Sequence, residues 1–333
     1  MKIAIRADGG SNIGFGHIMR TLVLAKELSK INDVFYICRV DNYLSDKYKI
    51  GIEKVKSQGF VVKTIREDFL LEDLKSIKAD LLITDSYDID EEYFNETKKV
   101  FSKTAYIDDM NLYYYNVDFL INPNIDAADF KYKVNDNTKL IVGSQYIMLR
   151  DEFINVPKKY INYKIHDIMI TVGGADPYHV TEKILTYVKL LDYNFHVVVG
   201  PSFDKENLLK NFEGDKISMY YNANMFEIMN KCDLAISACG STLYELASCG
   251  VPTLGLILAD NQQEIANKMD ELSMIKNLGW YNKLSKDIFL QSLISLCNDY
   301  VTRSELSNNA KKTVDGNGAK RIVEVIMENM IHK

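Results

Sequence analysis

His17 stands in Gly14-Phe15-Gly16-His17, a glycine-broken turn that follows the first strand-like run and opens a helix-periodic segment. The turn Ser11-Asn12-Ile13-Gly14-Phe15-Gly16 leads into apolar positions Ile18, Leu22, Leu24, Ala25 and Leu28, which can face a sheet. His17 is then in the first helical turn, where free backbone N–H groups and the positive end of the helix dipole favour an anion or a developing negative charge. The same field disfavours an imidazolium, so His17 is expected to be neutral and able to accept a proton. A neutral imidazole beside a carboxylate can act as general base on water. Asp8, ending the first strand, could supply that carboxylate; a backbone group could orient the ring instead. The plainer alternative is a histidine that caps a helix without chemistry, against which stand the glycines on its approach. Gly-x-Gly-His is weak by itself, and no Gly-x-Gly-x-x-Gly is present.

A second group lies in DLAISACGSTLYELASCGVPTLGLI. Ser241 or Thr242 can cap the helix after this strand, and the N–H groups from Gly240 to Leu243 can cradle a pyrophosphate. Glu245, one turn further on, can accept hydrogen bonds from the two hydroxyls of a ribose. An ordinary strand-to-helix cap with a solvated glutamate is the competing reading. Gly173-Gly174 forms another glycine turn, with Gly174 placed at a ligand. Asn261-Gln262-Gln263 follows the strand at 253–258, where amides can bind sugar hydroxyl or acetamido groups. Asp85-Ser86-Tyr87 follows DLLIT in the matching position of the first half, where a tyrosine can orient a substrate or water; each is also a credible plain turn.

These groups need a scaffold that places strand ends together. Short Val/Ile/Phe/Tyr-rich runs alternate with helix-periodic segments: KIAIR, 17–30, VFYIC, 47–58, FVVKTI, 69–78, DLLIT, then strands at 104–108, 117–122 and 139–143. A polar stretch containing Pro157, 151–164, reads as a linker. The alternation then resumes: a strand at 167–172, a helix near 178–190, FHVVV, a helix near 204–211, KISMYY, a helix near 225–231, DLAIS, 242–249, VPTLGLI and a helix at 262–269. From Lys286 the chain reads as helical, broken at Gly316-Asn317-Gly318, and its last helix could pack on either half. The pattern predicts an α/β protein of two Rossmann-like, doubly wound parallel-sheet domains facing a cleft. The expected domains are 1–155, 156–315 as the nucleotide-binding one, and 316–333 as a terminal helix crossing back to the first. Open parallel sheets bind ligands beyond the carboxyl ends of their strands, so the cleft is the expected site.

The 333 residues, 47% apolar and 26% charged with a net charge of −6, suit a soluble globular protein of two domains. Only short basic runs occur, such as Lys158-Lys159 and Lys311-Lys312, which argues against nucleic acid as a partner. No apolar run reaches membrane-spanning length, so no membrane insertion is expected. MKIAIRAD starts with a strand and lacks the features of a secretory signal, and a cytoplasmic location is expected. The five cysteines, Cys38, Cys232, Cys239, Cys249 and Cys297, include no CxxC pair, so neither a disulfide frame nor a zinc site is suggested. No cofactor and no metal are expected, and a monomer is.

Assembled, these residues resemble the UDP-sugar hydrolases of the pseudaminic acid pathway, relatives of the two-domain MurG-type glycosyltransferases of GT-B architecture. IRADGGSNIGFGHIMR resembles that family's Arg-x-Asp stretch followed by Gly-x-Gly-His-x-x-Arg, through Arg6, Asp8, Gly14, Gly16, His17 and Arg20. DLLITDSYDID resembles its strand and Asp-x-Tyr turn, YIDDM its paired aspartates, and ITVGGADP the opening of its second domain. ISACGSTLYELASCGVP and the downstream Asn-Gln pair complete the likeness, which runs from residue 1 to about 270, with a family-like GNGAKRIV near the end. The resemblance implies a metal-independent hydrolase that releases UDP from UDP-2,4-diacetamido-2,4,6-trideoxy-β-L-altropyranose, by water attack at the anomeric carbon with inversion. His17 would be the base, with Asp8, Tyr87 and Asn261 beside it in the catalytic set. Gly14, Gly16, Arg20, Gly174, Gly240 and Gln262 would contact substrate, with Ser241, Thr242 and Glu245 at the nucleotide. A UDP leaving group needs no protonation if helix dipoles absorb its charge, so one base suffices. Two alternatives remain: transfer of a UDP-amino sugar to an acceptor other than water, and nucleotide-sugar binding without catalysis. Lipid-acceptor transferases carry an apolar or basic patch on the first domain, and none is evident; His17 with Asp8 argues against a mere binder.

Overall fold

The computed structural model describes residues 1–333 except Asn12, Asn42, Tyr43, Pro201, 204–208, His332 and Lys333. Asn12 of the first glycine turn, and most of the helix expected near 204–211, therefore lie outside the described residues. The chain divides into two compact units, Met1–Arg150 with Asn317–Lys333, and Asp151–Gly316.

Unit 1 follows strand–helix alternation: β1 (Lys2–Ala7), α1 (Gly16–Ser29), β2 (Asp33–Val40), α2 (Asp46–Ser57), β3 (Val61–Arg66), α3 (Leu70–Leu74), β4 (Leu81–Asp85), α4 (Glu91–Val100) and β5 (Lys103–Ile107). Then come β6 (Tyr114–Tyr115), β7 (Phe119–Asn122), β8 (Lys133–Val134) and β9 (Lys139–Val142). Seven strands form a sheet in the order β3-β2-β1-β4-β5-β7-β9, all paired parallel, while β6 and β8 pair separately. β1 lies inside the sheet with both its faces buried: Ile3, Ile5 and Ala7 join Ile18, Leu22 and Leu28 on one side, and Ala4 joins Leu82, Phe94 and Tyr106 on the other, where Arg6 is also buried. A strand buried on both faces is the hallmark of a parallel sheet covered by helices on each side. The helix expected over 69–78 is shorter than its pattern: a 3-10 turn at Glu67–Phe69 precedes α3.

Unit 2 repeats the plan with β10 (Asp167–Thr171), α5 (Val180–Val188), β11 (Asn194–Val199), β12 (Ile217–Tyr221), α6 (Met225–Lys231), β13 (Leu234–Ala238), α7 (Thr242–Cys249), β14 (Thr253–Ile257), α8 (Gln263–Glu271) and β15 (Lys276–Trp280). Its parallel sheet runs β12-β11-β10-β13-β14-β15. β15 was not expected; its sequence KNLGW has one aliphatic residue and a glycine at φ +75°, and it pairs with β14 through a register shift. Two helices close the unit, α9 (Lys286–Asn298) and α10 (Tyr300–Thr313). The last helix, α11 (Gly318–Ile331), belongs to unit 1, where Ala319, Ile322, Val323 and Ile326 enter the core that holds Leu22 and Leu28.

In each sheet the winding direction reverses beside the central strand, between β1 and β4 in unit 1 and between β10 and β13 in unit 2. Such switch points leave a crevice outside the strand carboxyl ends. The glycine turn and Asp85 flank the first; Gly173-Gly174 and Gly240-Ser241 flank the second.

Candidate functional site

In unit 1 the turn after β1 is clamped. Gly10 and Gly14 exchange backbone hydrogen bonds of 3.1 and 2.9 Å, and Ser11 N–H donates to the Asp46 carbonyl at 3.1 Å. Gly14 has φ +80°, a conformation that costs an L-residue roughly 1–2 kcal/mol. A Cβ on Gly10 would come within 2.1 Å of the Lys47 carbonyl oxygen, so this glycine lets α2 ride over the turn. Gly16 has nothing within 4 Å of a built Cβ, leaving open space at the start of α1. Phe15 precedes the helix with no side-chain cap, and the first turn holds no acidic residue.

His17, the second residue of α1, is 7% exposed, and its Nδ1 lies 2.6 Å from Oδ1 of Asp85, 68 positions away at the end of β4. Asp85, 0% exposed, also receives two hydrogen bonds from Arg20, Nε to Oδ2 and Nη2 to Oδ1, both 2.6 Å. Burial pushes the Asp85 carboxyl up, but the charge and hydrogen bonds of Arg20 and those of His17 outweigh it and hold the carboxyl below its ordinary 3.8. An ionised carboxylate only accepts, so Nδ1 carries the proton and Nε2 is left bare in the neutral ring. Tyr87 packs its ring edge against His17, centroids 4.5 Å apart at 80°. Its hydroxyl donates to Oδ2 of Asp109 at 2.7 Å.

Two expectations change. Asp8 does not orient His17: its Oδ1 accepts from the Arg39 backbone N–H, and its Oδ2 from Arg39 Nε, all at 2.7 Å, with Arg6 Nη2 at 3.4 Å. Arg39, inside the apolar strand β2, needs a counter-ion there and takes Asp8. Arg20 is largely committed to the protein, since Asp85 accepts from Nε and Nη2 and Asp109 accepts from Nη1 at 2.7 Å, which leaves one N–H on each terminal nitrogen for a ligand. Asp8 and His17 still line one pocket of about 250 Å³, with Ile13, Arg39, Lys47, Asp85, Ser86, Tyr87 and Asp88. Asp85, which opens the Asp85-Ser86-Tyr87 turn, is the partner of His17 that the sequence does not mark as such.

In unit 2 the turn at Gly173, φ +104°, presses on the end of β11: a Cβ on Gly200 would meet the carbonyl oxygens of Gly173 and Gly174 at 2.4 and 2.5 Å. Ser202 N–H donates to the Gly174 carbonyl at 2.9 Å. The expected cap by Ser241 is absent; this residue precedes α7 with helical backbone angles and no side-chain cap bond, and its side chain is exposed beside half-buried Thr242. Glu245 lies in the first turn of α7. Gln262 closes on this turn, with Nε2 3.7 Å from a Cβ built on Gly240 and Oε1 accepting from Leu258 N–H at 2.9 Å. Its neighbour Asn261 is exposed in a 3-10 turn, and Gln263 accepts from Trp280 Nε1 at 2.9 Å. His17, Asp85 and Tyr87 are thus brought together in unit 1, and Gly240, Ser241, Thr242, Glu245 and Gln262 in unit 2. Among the described residues no group of three or more His, Cys, Asp or Glu could hold a metal ion, and no helix is long and apolar enough to cross a membrane.

Two doubly wound parallel sheets, each with a glycine turn at its switch point, define the fold of the two-domain GT-B glycosyltransferases. MurG of Acinetobacter baumannii superposes with a TM-score of 0.69 over 98% of this chain and 99% of its own, at 13% identity. Residues 167–326 match the glycosyltransferase family 28 C-terminal domain. An uncharacterized protein of Methanocaldococcus jannaschii is 34% identical over 79% of this chain, a match that spans 57% of the archaeal protein. The spore coat polysaccharide biosynthesis protein SpsG of Bacillus subtilis is 25% identical over 98% of both chains. The UDP-2,4-diacetamido-2,4,6-trideoxy-beta-L-altropyranose hydrolase of Campylobacter jejuni is 29% identical over 53% of this chain and 61% of its own length. The chain is therefore a homologue of proteins carrying the hydrolase and SpsG names, in keeping with the motif at Arg6–Arg20.

Proposed function

We propose that this chain hydrolyses a UDP-linked diacetamido-trideoxy sugar, UDP-2,4-diacetamido-2,4,6-trideoxy-β-L-altropyranose, in pseudaminic acid or related polysaccharide biosynthesis. The observation that carries the reading is the His17–Asp85 contact in the unit 1 pocket, which keeps the proton on Nδ1 and turns the basic nitrogen to Nε2. His17 Nε2 takes a proton from water as the water oxygen bonds to the anomeric carbon. The bond from that carbon to the phosphate oxygen breaks, UDP leaves with the electron pair, and the configuration inverts. Asp85 matches the imidazolium so formed. A pocket of about 250 Å³ suits a sugar moiety rather than the whole ligand, since drug-sized ligands need roughly 300–1,000 Å³.

Unit 2 takes the nucleotide in this reading: N–H groups from Gly240 onward and the hydroxyls of Ser241 and Thr242 hold phosphate, Glu245 holds ribose, and Gly174 lets the ligand approach. Asn261 and Gln262 serve the acetamido sugar, and Tyr87 its ring or the water. Gly14 and Gly16 keep the approach to His17 open. The reaction uses neither metal nor cofactor, by a monomer in the cytoplasm.

The fold is shared with glycosyltransferases, so transfer to another acceptor is the rival reading. Purified chain, incubated with the UDP-sugar in the presence of chelator and without any acceptor, should release UDP. His17→Ala should lower the rate about 10²- to 10⁴-fold, the usual worth of a general base. No release without an acceptor would favour the transferase, and release unchanged in His17→Ala would remove the histidine mechanism.

A further inference from the structure

Asp109 lies just beyond β5 and does not line the pocket, yet it holds both groups that flank His17. Its Oδ1 accepts from Arg20 Nη1 at 2.7 Å and from Asn124 Nδ2 at 3.1 Å, and its Oδ2 accepts from the Tyr87 hydroxyl at 2.7 Å. Arg20 in turn forks onto Asp85, whose Oδ1 meets His17 Nδ1, while Tyr87 abuts the imidazole ring. Two routes therefore run from one carboxylate to one ring, one to its edge and one to its side. We propose that Asp109 is a positioning residue: through Arg20 and Tyr87 together it fixes the plane and charge balance of His17, and so the direction of Nε2. The proposal rests on His17 being the base.

The adjacent carboxylate marks the contrast. Asp108 is buried with Tyr115, the Asn111 N–H and Asn122 as partners, and burial raises its carboxyl. Burial acts the same way on Asp109, but Arg20, Tyr87 and His17 outweigh it, so Asp109 is held low and ionised. Around a neutral His17 the cluster of Asp85, Asp109 and Arg20 then has one excess negative charge. Proton transfer from water to His17 brings that sum to zero. The other charged groups at the pocket are locally paired, Asp8 and Asp88 with Arg39, and Lys47 with Glu67.

The test compares native protein, Asp109→Asn and Tyr87→Phe in pH profiles of UDP release, with ¹⁵N NMR of the His17 ring in unliganded protein. Asp109→Asn should lower kcat about 10- to 100-fold, the scale of lost orientation, with KM within about threefold. The acid limb of its profile should move to lower pH, and the ring should lose its single Nδ1–H tautomer. Asp109→Glu should recover part of the rate. Native kcat and an unmoved acid limb in Asp109→Asn would overturn the proposal. So would a rate loss that follows the unfolded fraction while the ¹⁵N spectrum stays native. If Asp109→Asn does not fold, Tyr87→Phe decides: it breaks one route and should lower kcat by a smaller factor while broadening the ring signals, and a native profile and spectrum would refute the idea. Failure of the base reading shows separately, as UDP release that survives His17→Ala.

Discussion

Asp85→Asn keeps the number of heavy atoms at the site and tests the role of His17 at its narrowest point. Oδ1 of Asp85 is shared by His17 Nδ1 and Arg20 Nη2, and Oδ2 is taken by Arg20 Nε. An amide has one acceptor end. With its oxygen in the Oδ1 place, its NH₂ faces Arg20 Nε–H, donor against donor. With its NH₂ in the Oδ1 place, it donates to His17 Nδ1 and pushes the ring proton onto Nε2, where water must be deprotonated. Both arrangements also strip the negative charge that matches the imidazolium. Loss of the matching carboxylate in a comparable histidine-based site costs about 10⁴ in rate, and we expect kcat to fall about 10³- to 10⁴-fold, roughly 4–5.5 kcal/mol in the barrier. Removing one partner of a buried ion pair also destabilises by about 3–5 kcal/mol, so a thermal melt must accompany the kinetics. The assay is continuous detection of UDP at saturating substrate, at temperatures where the variant remains folded. Folded Asp85→Asn retaining kcat within about threefold of native would refute both the tautomer argument and the assignment of His17.

The two glycines of the turn should separate folding from catalysis: Gly10→Ala forces a methyl against the Lys47 carbonyl and should cost about 1–3 kcal/mol in denaturant titration. Gly16→Ala, with open space around it, should leave stability within about 0.5 kcal/mol while raising KM, and an unchanged KM would remove Gly16 from the ligand's path. Glu245→Gln should raise KM for the UDP-sugar about tenfold at constant kcat, as expected for a ground-state ribose contact; a fall in kcat alone would point elsewhere. Asp85 and Asp109 are both held below the ordinary 3.8, so their contribution to stability is present above that pH and disappears as pH falls through their lower folded values. Thermal melts below about pH 4 should therefore show a steep acid loss that is shallower in Asp109→Asn, and parallel curves would contradict the depressed carboxylates.

The alternation of apolar runs and helix-periodic segments made the winding of both sheets legible, because parallel strands buried on two faces cannot hide their composition. His17 and Tyr87 were legible through turns at strand ends. Asp85 was not read as the partner of His17 because chain proximity favours Asp8, whereas the sheet sets Ala7 of β1 directly beside Asp85 of β4. A signal was present: an arginine in the apolar run VFYICRV demands a buried carboxylate, and Arg39 takes Asp8 from the neighbouring strand. The motif points Arg20 at a ligand, and only the placement of Asp85 at the end of β4 and of Asp109 after β5 shows how much of its guanidinium serves the protein. β15 escaped because its polar, glycine-containing sequence has no strand period and depends on its neighbour for its conformation.

The return of α11 to unit 1 sets an order of events during synthesis. Unit 2 is continuous in sequence and can close once Gly316 has emerged, but unit 1 lacks Ala319, Ile322, Val323 and Ile326 from its core until α11 has been made. Unit 1, which carries His17 and begins before unit 2 in the chain, is thus completed after it. Until then the apolar patch around Leu22 and Leu28 is exposed to solvent, and a nascent chain stalled before α11 should be a substrate for holdase chaperones and proteases rather than a half-finished enzyme.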